Sequence, residues 1–301
     1  MISLNNKAAA QELLDRRAAR TSLISFSKYT MPQFEVSDHH KIIAAALEKT
    51  TMGEGGTRLM IFAPPRHTKS ELSSRRFPAW YIGNHPGKQI MSVTYNSDLA
   101  ADFGREVRGI VDSESYGVLF DTRLRADSKS ANRWHTNKNG VYISTGIGGG
   151  ITGRGADIAL IDDPLKGREQ ADSQRERDRV WRWYTSELYT RLMPNASIII
   201  ILTRWHEDDL AGRLLAEQDK GGDQWEVISL EAISNEGSEN ERALWPAWYG
   251  LDYLKRTRNV IGPREWGALY QQNPVPDEGT YFCQKNFNFF KKLPENLNFY
   301  G

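Results

Sequence analysis

Cysteine is almost missing. Cys283 stands alone, so neither an intrachain disulfide nor an all-cysteine metal site can form, and a reducing compartment, the cytosol by default, suits the chain. Long apolar runs are missing too. Runs such as Ile198 to Leu202 fall far short of the ~20 residues of a membrane-spanning helix, so no contact with a membrane is expected. The first residues also lack the apolar stretch and small-residue cleavage site of a secretory signal. Neither sign of charge prevails: Lys+Arg 39 against Asp+Glu 38 leave +1, which announces no nucleic acid but leaves room for a local basic surface. No fixed-period repeat or low-complexity tract is visible. Aromatic residues, by contrast, are plentiful at 11%, too many for a disordered chain, and 301 residues can bury a sizeable core.

What is present reads as an alternation of helices and strands. Residues 7–20, KAAAQELLDRRAAR, are strong helix formers with interleaved charge and predict an exposed N-terminal helix. Ser37 to Thr50 offers Ser and Asp caps before IIAAAL, a second helix that stops ahead of Gly53, Gly55 and Gly56. Then follow RLMIFA from Arg58, a helix from Lys69, QIMSVTY from Gln89, a helix over Ser97–Val111, and the runs VYIST, DIALID and ASIIIIL. Short Ile/Val-rich runs without polar alternation, separated by helices, predict an α/β fold whose mostly parallel sheet is buried on both faces. QWEVISL, residues 224–230, adds a strand. Trp245 to Pro276 reads as helix interrupted by Pro246, Gly250, Gly262 and Pro263. The expected division is an N-terminal helical segment over 1–30, a core over 31–245, and a linker or small subdomain over 246–301. The closing ENLNFYG is strand-like and is expected to lead into a further domain.

The segment Ala63-Pro64-Pro65-Arg66-His67-Thr68-Lys69-Ser70 sits between a predicted strand and a predicted helix, the context of a phosphate-binding loop. In the usual Gly-x4-Gly-Lys-Ser/Thr pattern, glycines let backbone N–H groups wrap the phosphates, Lys reaches the β and γ oxygens and the hydroxyl meets Mg²⁺. Lys69 and Ser70 fit; Ala63 and Thr68 replace both glycines, so Thr68 must accept a backbone shape that Gly adopts more cheaply. The plain alternative is a basic first turn on an ordinary helix. Arg66 weighs against it, because a second cation beside Lys69 is costly unless an anion sits there. DIALID ends in the paired carboxylates Asp162 and Asp163, an arrangement that holds Mg²⁺ and aligns water beside a phosphate loop; alone it would read as an acidic turn before Pro164. Thr203, at the end of the Ile198–Leu202 run, lies where open α/β sheets bind ligands and is a candidate γ-phosphate sensor, or else a helix N-cap. His39, His40 and His67 have no metal-ligand spacing with carboxylates and read as helix-surface or capping residues, His67 shaping the loop.

Four stretches, PPRHTKSE, VTYNSDLAADFGREVR, GITGRGADIALIDDPLK and ILTRWHEDDLAGRLL, together resemble the ATPase domain of a tailed-phage terminase large subunit over about Met31 to Asp277. The resemblance implies a P-loop NTPase of the additional-strand type, a Mg²⁺-dependent ATPase that drives double-stranded viral DNA into a procapsid. It implies that Pro65, Arg66, His67, Thr68, Lys69 and Ser70 cradle ATP, with Lys69 and Arg66 facing phosphates and Ser70 and Asp162 on Mg²⁺. Asp163 becomes the catalytic carboxylate, one methylene shorter than the Glu most relatives carry. Leu202-Thr203-Arg204 is similar to the family's coupling motif, Gln33 matches its adenine reader, and Arg154 in GGGITGRGAD matches an arginine finger that reaches a neighbouring subunit's γ-phosphate.

The implied partners are double-stranded DNA, the portal protein, the small terminase subunit and further copies of this chain in a ring, a pentamer on the portal. The implied place is the host cytoplasm. The family's nuclease domain is expected to be absent from these residues, and with it DNA cleavage. Candidate DNA contacts are Arg123, Arg125, Lys129, Arg133 and Lys138, and a second set, Arg175, Arg177, Arg179 and Arg182, whose alternation with acids reads equally as a solvated helix face. A helicase-like ATPase and a nucleotide-binding scaffold that no longer hydrolyses are the competing functions.

Overall fold

The structure, a computed structural model, describes residues 4–52, 55–128, 130–151 and 153–275. Three helices open the chain, α1 (Leu4–Thr21), α2 (Leu23–Thr30) and α3 (Asp38–Lys49), before β1 (Arg58–Phe62). A π-helical turn, Glu71–Arg76, leads into α4 (Phe77–Asn84), followed by β2 (Gln89–Thr94), α5 (Ser97–Val111), α6 (Glu114–Leu119), β3 (Arg133–His135), β4 (Val141–Gly146) and β5 (Ala156–Asp162). Helices α7 (Arg168–Asp172) and α8 (Gln174–Trp183) precede β6 (Leu192–Leu202), α9 (Leu210–Gln218) and β7 (Glu226–Ser229). The short strands β8 (Ile233–Ser234) and β9 (Arg242–Ala243) follow, then the helix α10 (Leu251–Glu265) and a π-helical turn, Trp266–Tyr270.

Strands β1 to β7 form one sheet in the order β3-β4-β2-β5-β6-β1-β7, parallel throughout except for the β3–β4 edge pair. The expected α/β fold with a mostly parallel central sheet is therefore present. Side chains alternate across it with the period of two that strands impose. Leu59, Ile61, Ile90, Ile158, Leu160, Ile199 and Ile201 bury one face against α2, α3, α4 and α6. Met60, Phe62, Met91, Val93, Ala159, Ile161, Ile198 and Ile200 bury the other against α8, α9 and Ile151. The N-terminal helices join the first face: Leu23 and Phe26 are fully buried, and Arg20 donates to the carbonyl of Leu119. A third, smaller cluster gathers Ala232, Ile233, Leu254 and Trp266 with Tyr249 and Tyr270, so it draws on residues either side of position 245. Gly262, at φ 81°, breaks α10 before Pro263, the interruption its sequence predicted.

Candidate nucleotide phosphate site

Register brings the chemistry to one edge. In parallel pairing Phe62 stands opposite Leu202, and Asp162 opposite Ile201, so the residues after β1, β5 and β6 emerge side by side at the carboxyl ends of three neighbouring strands. Strand β6 lies between the other two, the additional-strand arrangement that was expected. Open parallel sheets bind their ligands at this edge.

Lys69 is buried with only 6% of its surface exposed. Its Nζ donates to Thr203 Oγ1 at 2.7 Å and lies 3.5 Å from Asp163 Oδ2. The same Asp163 accepts the Thr203 backbone N–H on Oδ1 at 2.8 Å. A second carboxylate is fixed beside it: Asp162 Oδ1 accepts from Ser70 Oγ at 3.1 Å and Oδ2 from Ser74 Oγ at 2.5 Å. Burial, with the neighbouring Asp163 charge, pushes Asp162 up to about 6. A buried carboxylate partnered mainly by hydroxyls is short of positive charge, and hydroxyl and carboxylate oxygens are the hard donors Mg²⁺ takes. The donor set therefore fits the ion. Among the described residues no group of three or more His, Cys, Asp or Glu could cage a metal, so such an ion would depend on Ser70, Asp162, water and phosphate.

The loop itself has the shape its sequence makes expensive. Arg66 has φ 65° and Thr68 φ 55°, left-handed backbone that glycine would occupy at no steric cost. Arg66 is exposed, and Pro65 accepts on its carbonyl from His67 Nδ1 at 2.9 Å. Thr203 is no helix cap: Asp209 caps α9, accepting from the Gly212 N–H. Arg204 pairs with that buried Asp209 at 2.7 Å and lies over Phe62.

Two predicted residues form no hydrogen bond or ion pair with this cluster among the described residues. Gln33 is exposed ahead of α3, though its neighbour Phe34 packs on His40. Arg154 precedes β5, whereas Asp162 ends it, so the two are separated by roughly 20 Å of strand. The candidate DNA contacts divide as well. Arg125 pairs with Asp127, Arg177 with Asp208 and Arg179 with Glu176, while Arg175 and Arg182 are exposed. Lys129 lies outside the described residues.

The histidines correct the sequence reading. His39, His40 and His67 are buried rather than on a helix surface, at 1%, 0% and 1% exposure. Trp245 closes over His39 and His40, and Tyr249 over His67. His40 does cap, accepting the Ser37 N–H on Nδ1 at 3.0 Å. Sequence reasoning also missed Ser74. Its spacing of four from Ser70, which puts both hydroxyls on one side of the helix, was the available signal.

Fold and strand order define the class as a P-loop NTPase fold. The chain belongs to the family described as terminase large subunit, T4likevirus-type, N-terminal, which matches residues 60–289. No curated protein gives a significant match. Among solved structures the chain is similar to the HK97 bacteriophage large terminase, with TM-score 0.55, 15% identity, and coverage of 81% of this chain and 52% of that one. It is also similar to a mutant of the Thermus phage P74-26 large terminase ATPase domain, with TM-score 0.53, 13% identity, and coverage of 83% and 98%. At such identities the likeness is one of fold. The chain spans about half the length of the HK97 protein.

Proposed function

We propose that this chain is the ATP-hydrolysing motor domain that drives double-stranded viral DNA into a procapsid in the host cytoplasm. The observation that carries the reading is the joint placement of Lys69, Thr203 and Asp163 with Ser70 and Asp162 at the carboxyl edge of β1, β6 and β5, in a chain of the terminase large subunit family.

In this reading the loop from Pro65 to Ser70 wraps the ATP phosphates at the start of a helix, where backbone N–H groups favour anions. Arg66 and Lys69 neutralise them, and Gln33 contacts the adenine. Ser70 and Asp162 would hold Mg²⁺, which would supply positive charge to the phosphates. Asp163 orients the attacking water, and Thr203 reports the γ-phosphate to Arg204. Arg154 serves a neighbouring copy in a ring on the portal protein, with the small terminase subunit as a further partner. Sliding along DNA uses phosphate contacts rather than base readout.

The test is phosphate release from Mg-ATP across a protein-concentration series. Turnover per subunit that rises with concentration and disappears in Lys69→Ala is the expected result. Tight ATP binding without turnover at any concentration, with or without DNA and portal, would instead identify a scaffold that no longer hydrolyses.

A further inference from the structure

A phosphate loop without its glycines needs something else to hold its shape. Left-handed backbone costs an L-residue free energy, and for a β-branched residue such as Thr it is a genuine outlier. Conformations of this kind persist where the surroundings over-determine them. Behind Thr68 the surroundings do so through one directed chain of hydrogen bonds.

The chain begins on α3. The Ser37 N–H donates to His40 Nδ1, so that nitrogen is the acceptor and Nε2 carries the proton. His40 Nε2 therefore donates to Thr68 Oγ1, and Thr68 Oγ1 donates onward to the His67 carbonyl at 2.9 Å. His39 Nε2 lies 3.3 Å from the same carbonyl, which can only accept. His67 Nδ1 in turn donates to the Pro65 carbonyl. Each ring has one neutral tautomer that satisfies these bonds; the His67 carbonyl is held toward α3, and the Pro65 carbonyl is tied within the loop to His67. Trp245, with ring centroids 5.2 and 5.0 Å from His39 and His40, keeps water from competing.

We infer that His40, backed by His39, is a positioning residue of the nucleotide site: it holds Thr68 left-handed and so does the work of the missing loop glycine. It touches no nucleotide and acts through Thr68. The inference rests on the nucleotide-binding reading above and deepens it, since it says how a loop of this composition can cradle phosphate.

A double-mutant cycle on the full chain tests it, with a fluorescent ATP analogue and Mg²⁺ as the probe. His40→Ala is expected to weaken binding roughly tenfold, about 1.4 kcal/mol. In a Thr68→Gly background the same change is expected to cost less than about threefold, because glycine needs no support. His40→Gln, which keeps a donor near the Nε2 position, is expected to retain most of the affinity. An equal loss in both backgrounds would reduce His40 to core filling and overturn the inference, as would wild-type affinity in His40→Ala. The cycle can also be read on the thermal midpoint should His40→Ala fold poorly. Thr68→Gly restores the midpoint if His40 supports that residue and leaves it lowered if it does not. Wild-type protein that binds no nucleotide would be a different failure, overturning the nucleotide reading and the inference together.

Discussion

Ser74 shows how much one hydroxyl can carry. Asp162 is buried and, among the described residues, accepts from Ser70 and Ser74, with the more distant charge of Lys69 beside it. Removing a donor from a buried carboxylate leaves that oxygen unsatisfied at a cost of about 1–3 kcal/mol. Ser74→Ala should lose stability in that range in urea without Mg²⁺, and the deficit should shrink when Mg²⁺ and nucleotide are added, since a bound cation replaces the missing donor. A deficit that Mg-nucleotide leaves unchanged would place the metal away from Asp162. The residues that make this site were unequally legible. Lys69, Ser70, Asp162 and Asp163 could be found because strand ends and helix starts announce where a phosphate goes. Thr68 could be marked as strained because Thr stands where glycine usually does, and its φ of 55° bears that out. Asp163 is also left-handed, at φ 43°, which no spacing rule foretold. Its carboxylate reaches back to the Thr203 N–H across forty residues of chain, a contact that local sequence cannot display.

Helix α3 is where an element, rather than a residue, sets a property of the protein. It carries His39 and His40 inward against His67 and Trp245, and burial lowers all three histidines from 6.5 to about 4. A histidine kept neutral in the fold binds fewer protons than in the unfolded chain between those values. Stability therefore rises with pH across that window: it is fully present above about 6.5 and is lost as pH falls toward 4, at up to about 3 kcal/mol per ring. His85 and His135, also lowered chiefly by burial, add in the same direction. Asp162, raised to about 6, opposes with one proton. Urea unfolding at pH 7, 6 and 5 without Mg²⁺ should show stability dropping by several kcal/mol, on the order of the net proton uptake. A flat profile would mean that these rings are not neutral in the fold. The elements themselves were largely readable from periodicity. Predicted and observed ranges coincide for α5 and agree within a residue or two for β1, β2, β4 and β7. What periodicity could not give was the inward face of α3, because an Ile-Ile-Ala-Ala-Ala-Leu stripe beside two histidines leaves their side undetermined. Nor could it give β3, three residues long, whose strand character comes from pairing with β4.

At the scale of the molecule, the phosphate edge is tied to the third hydrophobic cluster by a small set of contacts. The Arg204 N–H reaches Gln272 Oε1 at 3.4 Å, and Arg168 pairs with Glu265 at 2.7 Å while donating to the Trp205 carbonyl. The two residues after Thr203 thus touch Gln272 and, through Arg168, α10. The opposite end of the sheet carries Arg154, half-buried in the crossover from β4 to β5. Its separation from Asp162 by a strand length, roughly 20 Å, is too long for an arginine side chain to span, so a role for Arg154 in ATP hydrolysis requires a second copy whose phosphate edge faces it. That requirement makes a sharp prediction. Arg154→Ala supplies an intact phosphate loop, and Lys69→Ala supplies an intact Arg154; each alone should hydrolyse ATP poorly. Mixed under conditions where copies assemble, the two should regain turnover, because some interfaces then join a good loop to a good arginine. The recovered rate should follow the fraction of mixed interfaces as the ratio is varied, and should vanish on dilution below assembly. Full activity of Arg154→Ala alone would remove this residue from the reaction. Loss without complementation, in mixtures shown by light scattering to assemble, would instead tie Arg154 to the stability of its own crossover.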